Sequence, residues 1–114
     1  MVERGTLVEA CSLDQLSSEQ CLLLRLGGRQ VGLVLHGGQP VAVLNDCPHF
    51  HGPLAQGPIS VARGEIICPW HRFRFELGTG KSATNPAMAA TVLPTEVRGD
   101  KVWVDVSALE SAGE

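Results

Sequence analysis

The chain has 114 residues, 44% hydrophobic and 18% charged, which fits one domain around one core and excludes a disordered or collagen-like chain. Nine Lys and Arg stand against twelve Asp and Glu, for a net charge of -3. That balance argues against a phosphate-tracking surface, so no nucleic-acid partner is expected, and it suits a basic protein partner better.

The start, Met1-Val-Glu-Arg-Gly, lacks the basic stretch and apolar core of a secretory signal. A cytoplasmic chain with reduced thiols is therefore expected. The longest apolar runs, 31–35 and 41–44, fall far short of the roughly 20 residues that span a bilayer, so no membrane association is expected. Residues 12–16 can form one helical turn capped by Ser12, and Cys11 just before it reads as a packing residue.

Thirteen glycines and seven prolines punctuate short apolar runs, the pattern of many strands joined by tight turns. Residues 20–26, 31–35 and 40–44, separated by Gly27-Gly28 and Gly37-Gly38, read as a three-strand meander. Cys21 sits in its first strand as a packing residue, and His36 lies exposed at the second glycine turn. Further strands are expected at 65–67, 72–77, 90–93 and 101–106, the last with Val102, Val104 and Val106 on one face and Trp103 on the other. Gly78-Thr-Gly80 reads as a hairpin turn, since no helix pattern follows to make a phosphate loop, and 107–113 as a frayed terminal turn.

Two stretches resist strand assignment, 46–58 and 68–71, and irregular loops on a rigid scaffold are where function concentrates. The first carries Cys47-Pro-His49 and the second Cys68-Pro-Trp-His71, with 18 residues between His49 and Cys68. Two cysteines and two histidines could hold a tetrahedral zinc ion. Zinc fingers, however, pair cysteine with cysteine and histidine with histidine, whereas each loop here offers one of each. The mixed order suits two metal ions, each loop handing one ligand to each.

With these motifs the sequence resembles the Rieske [2Fe-2S] family, whose paired loops are Cys-x-His and Cys-x-x-His. The likeness runs over roughly residues 40 to 106. It includes Gly52-Pro-Leu54, Phe73-Arg-Phe-Glu-Leu-Gly-Thr-Gly80, and Pro86 in the place of the family's third, proline-containing loop. The resemblance implies an all-β fold of small antiparallel sheets with a loop-built cluster-binding subdomain. It implies a single domain over 1–114: a base sheet at about 1–44 and 91–106, the cluster-binding part at about 45–90, and a C-terminal tail at 107–114. One [2Fe-2S] cluster per chain is implied, Cys47 and Cys68 binding one iron through sulfur and His49 and His71 the other through imidazole nitrogen.

Departures from the family are expected to tune that cluster. High-potential relatives carry an additional cysteine in each loop and join the two as a disulfide, where this chain has Gly52 and Trp70. They also supply a serine and a tyrosine hydroxyl where Phe73 and Phe75 stand, so a low potential is expected. Trp70 is expected to shield the cluster, and Pro48 and Pro69 to restrict the ligand loops. His51 and Arg72 occupy positions where the family often has glycine; His51 is read as a solvated side chain, with a role supporting the cluster ligands or linked to a proton as the alternative. Arg72 and Arg74 are expected to pair with surface acids such as Glu76, and Arg72 to help a partner dock.

The function these features imply is that of a soluble ferredoxin, a one-electron carrier and not itself an enzyme, with no small-molecule substrate of its own. It would pass electrons from a flavin reductase to the terminal oxygenase of an aromatic-hydroxylating dioxygenase system. A small subunit of a nitrite reductase is the alternative within electron transfer, and a structural zinc-binding interaction module the alternative outside it.

Overall fold

Short apolar runs broken by glycine leave the backbone few ways to satisfy its hydrogen bonds except by pairing neighbours, and the described residues do so in three antiparallel sheets. The computed structural model describes residues 7–26, 28–46, 52–70, 72–84 and 88–107. The strands are β1 (Leu7–Ser12), β2 (Leu22–Leu26), β3 (Arg29–His36), β4 (Gln39–Leu44), β5 (Ile59–Ser60), β6 (Glu65–Ile67), β7 (Arg74–Glu76), β8 (Val92–Leu93), β9 (Thr95–Arg98) and β10 (Lys101–Asp105). Their sheet orders are β1-β10-β9, β2-β3-β4-β8 and β5-β6-β7. Among the described residues, no helix is long and apolar enough to cross a membrane.

The expected meander is present as β2, β3 and β4, although its first strand begins at Leu22 and not at residue 20. Its second turn follows from the residues: His36 pairs with Gln39 across Gly37 and Gly38, whose φ values are +62° and +80°. A two-residue turn with both φ positive matches the twist of the flanking strands, and glycine adopts it without steric cost. Residues 13–15 form one turn of 3-10 helix in place of the expected 12–16, with the Ser12 N–H donating to Gln15 Oε1 at 2.9 Å. Strands β1, β5 and β9 are additional to those read from the sequence.

β3 and β4 are apolar on both faces because both faces are covered. Val31, Leu33, Ala42 and Leu44 pack toward β1 and β10, joining Val102, Val104 and Val106, which face inward as their alternation predicts. The opposite face, with Val34, Val41 and Val43, meets Leu54, Ile66 and Phe75 of the third sheet and its loops in a second core. The β2-β3-β4-β8 sheet is thus the middle of three layers, and the third layer carries the two unusual loops.

Gly32 is the notch through which that third layer seats. A Cβ there would lie 2.6 Å from Cβ of Ala55 and 3.0 Å from Cβ of Cys21. Gly32→Ala should therefore cost about 2 kcal/mol by overpacking, even though alanine suits an extended strand. Chemical denaturation measures it, and a loss below about 0.5 kcal/mol would show that the seat is loose.

Candidate metal centre

The bases of the two loops are fixed. At the first, Asn45 works in two directions: its Oδ1 accepts the Ala55 N–H at 2.9 Å and its Nδ2 donates to Gln30 Oε1 at 3.1 Å. The segment leaving β4 is thereby tied to the 3-10 turn Leu54–Gln56, where the chain returns to the core through the buried Leu54 and Ala55. Arg29 pairs with Asp46 at 3.4 Å beside the same brace. The second loop joins β6 to β7 and is closed by the Cys68 N–H donating to the Phe73 carbonyl at 2.8 Å. Residues 83 and 84 run alongside: the Arg74 N–H donates to Thr84 Oγ1 at 3.0 Å, and the Ala83 N–H to the Arg74 carbonyl at 2.8 Å.

These anchors bring the loops face to face. A Cβ on Gly52 would lie 3.0 Å from Cδ2 of Trp70 and 3.2 Å from Sγ of Cys68. The indole of Trp70 therefore rests against the end of the first loop, half its surface still exposed at 49%. Cys68 is fully buried and free of any disulfide, in the second core with Leu54, Ile66 and Phe75, its sulfur turned toward the first loop. A buried free thiol at the junction of two pinned loops fits the sulfur ligand of a two-iron group. Of the expected ligands Cys68 alone lies within the described residues; Cys47, His49 and His71 lie outside them, as do Pro48, His51 and Pro86.

The remaining site residues fall as follows. Phe75 is fully buried and Phe73 partly so, and neither side chain can donate a hydrogen bond. Arg74 pairs with Glu65 at 3.5 Å, not with Glu76, which accepts the Thr79 hydroxyl at 2.8 Å. The register explains this correction: Glu76 lies directly opposite Glu65, and Arg74, opposite Ile67, reaches Glu65 on the diagonal. Arg72 is exposed and forms no ion pair with any described acid, so the expected pairing with a surface acid is absent there too. Asn45, Gly32 and Gly57 escaped the sequence reading; the polar Asn-Asp pair at the end of an apolar strand was the one available sign of a braced turn.

The other two cysteines belong to the cores. Cys11 lies buried on β1, its thiol pKa raised by burial and secondarily by the Asp14 carboxylate. Cys21 packs beside Gly32, and burial pushes its thiol up to about 12. Iodoacetamide at pH 8 should alkylate Cys21 roughly a thousandfold more slowly than the unfolded chain, because so little thiolate is present. Peptide mass mapping reads this directly, and equal rates would refute the burial. Because the folded pKa is the higher one, the stability linked to this proton is intact below the unfolded value of about 8.5 and is lost as pH climbs through about 12.

Comparison with known proteins adds to this geometry. Residues 6–104 match the family model of the Rieske [2Fe-2S] domain. Over 98 residues the chain is 32% identical to Apoptosis-inducing factor 3 of Homo sapiens, a match that covers 85% of this chain and 16% of that protein's length. Against the ferredoxin component of the p-cumate 2,3-dioxygenase system of Pseudomonas putida it is 28% identical over 109 residues, covering 94% of this chain and 92% of the relative. The solved ferredoxin of carbazole 1,9a-dioxygenase from Nocardioides aromaticivorans IC177 aligns with a TM-score of 0.79 at 29% identity, over 87% of this chain and 96% of that one.

Proposed function

Because this chain belongs to the Rieske [2Fe-2S] domain family, we propose that it is a one-electron carrier delivering electrons from a flavin reductase to the terminal oxygenase of an aromatic-hydroxylating system. The observation that carries the reading is Cys68, buried, free and turned toward the other loop. The match to the dioxygenase-system ferredoxin, 28% identical over 109 residues, supports the carrier role. We assign Cys47 and Cys68 as sulfur ligands and His49 and His71 as nitrogen ligands, held by residues of about 45–90 on the base formed by the remaining strands.

When bound, the cluster supplies one-electron exchange between its two oxidation states. The protein's part is to hold and insulate. Asn45 and the Cys68–Phe73 hydrogen bond fix the loop ends, which keeps ligand geometry nearly constant between the states. Phe75, Leu54 and Ile66 exclude water on the core side of Cys68. Without hydroxyl donors at Phe73 and Phe75, the midpoint should lie toward the negative end of the Rieske range, about -150 mV.

Purified protein tests this. Iron and acid-labile sulfide in equal amounts, a midpoint near that value by protein-film voltammetry, and reductase-dependent reduction of an oxygenase are the expected results. Zinc in a colourless protein, or a midpoint above roughly +100 mV, would overturn it. Electron delivery to a nitrite reductase and not to an oxygenase would reassign the partner.

A further inference from the structure

Among the described residues, Arg72 is the one non-glycine with a positive φ, at +60°. Side chains reach that region at a steric cost that glycine escapes. Arg72 follows His71 directly, so the strain falls on the loop assigned above to ligand binding. No contact within the described chain offsets it: Arg72 is exposed and makes neither hydrogen bond nor ion pair, whereas Arg29 and Arg74 beside the loops are engaged by Asp46 and Glu65. Strained residues that their own fold does not reward point to an outside contact.

The surroundings indicate what that contact is. Arg72 borders a cleft of about 200 Å³ whose other lining residues are Pro58, Ile67, Cys68 and Pro69. Apolar walls with a single guanidinium at the edge fit a side chain with a hydrocarbon stem and a carboxylate end, which the planar guanidinium can grip with two parallel hydrogen bonds. The chain as a whole carries -3 and repels an acidic face, so a cation beside the loops that has no ion-pair partner among the described residues biases the orientation such a face adopts.

We infer that Arg72 reads a carboxylate on the redox partner, an Asp or Glu side chain of an acidic face that enters the cleft between Pro58 and Pro69. The inference rests on the electron-carrier reading and adds the chemistry of the partner's contact surface, against the basic partner that net charge alone suggests.

The test compares the cluster-loaded wild type with Arg72→Lys, Arg72→Gly and Arg72→Glu. Each reduced protein is mixed in a stopped-flow instrument with ferricyanide, a trianion, or with tris(phenanthroline)cobalt, a trication. At about 10 mM ionic strength, Arg72→Gly should slow the anion about fivefold and speed the cation about fivefold, with a larger change for Arg72→Glu and less than about twofold for Arg72→Lys. These differences should vanish at about 1 M salt. A hexaglutamate peptide, as the carboxylate competitor, should retard the ferricyanide reaction of the wild type more than that of Arg72→Gly.

Melting provides a readout independent of electron transfer: Arg72→Gly should raise the Tm by about 4 °C as the strain is relieved. Rates blind to residue 72 with both oxidants overturn the inference, as does a lower Tm for Arg72→Gly, which would give the arginine a structural role. Failure of the carrier reading looks different. Wild-type protein that neither oxidant can reoxidise would remove both.

Discussion

Cys68→Ser should purify without colour, iron or labile sulfide. The replacement oxygen is a hard donor with a hydroxyl that stays protonated at neutral pH, a poor substitute for the thiolate that iron-sulfur centres require. The position magnifies the loss, because Cys68 is fully buried in an apolar core and closed off by its own N–H to Phe73. The serine hydroxyl also needs a hydrogen-bond partner in that core and costs about 1–3 kcal/mol if it finds none. Cys68→Ala separates the two effects: it should lose the cluster equally while keeping more of the fold. Cys11→Ala and Cys21→Ala should both keep full iron, since their thiols belong to packing positions. Metal analysis of the four variants decides, and a Cys68→Ser protein with full iron would end the ligand assignment.

Gly57→Ala should destabilise the fold by about 3 kcal/mol or more and lower iron occupancy with it. Its backbone is ordinary, with φ -79°, so conformation is no obstacle to alanine. Space is the obstacle. A Cβ would stand 1.7 Å from the carbonyl oxygen of Ile67 and 3.0 Å from Cδ of Pro69. The neighbouring Ile67 N–H donates to the Pro58 carbonyl at 2.9 Å, so residues 57 and 58 lie along the last residue before Cys68. Relief requires moving one loop base away from the other, and the ligand loops move with them. Gly99→Ala is the control: its φ is +63° but nothing lies within 4 Å of the added carbon. It should cost only about 1 kcal/mol and leave iron unchanged. Denaturant unfolding and iron per chain measure both, and equal losses for the two variants would refute the crowding at Gly57.

Which parts of this were legible in advance follows from how local each signal is. The meander could be read because β3 and β4 are continuous apolar runs bounded by glycine pairs, and the ligand motifs because each falls within four residues. β1 stayed hidden because its register shifts between Glu9 and Cys11, a bulge that breaks the period of two. β9 turns Glu96, Val97 and Arg98 to solvent and offers no buried alternation, and β5 has two residues. At the site, the Arg74–Glu65 pair depends on sheet register, and the close approaches at Gly32 and Gly57 join elements remote in sequence. No periodicity reports such contacts. Arg72's φ of +60° does echo the family's frequent glycine at that position, so the strain was foreshadowed where the exposed cleft beside it was not.

The rest of Trp70 on Gly52 has a practical consequence. What joins the two loops at Gly52 and Trp70 is an aromatic ring lying on bare backbone, with no sulfur-sulfur bond at that place. Dithiothreitol therefore has nothing to cleave in the clasp, and its grip does not track the thiol poise of the surroundings. It should track temperature and solvent composition, as apolar contacts do: urea loosens it, sulfate tightens it, and reductant leaves it alone.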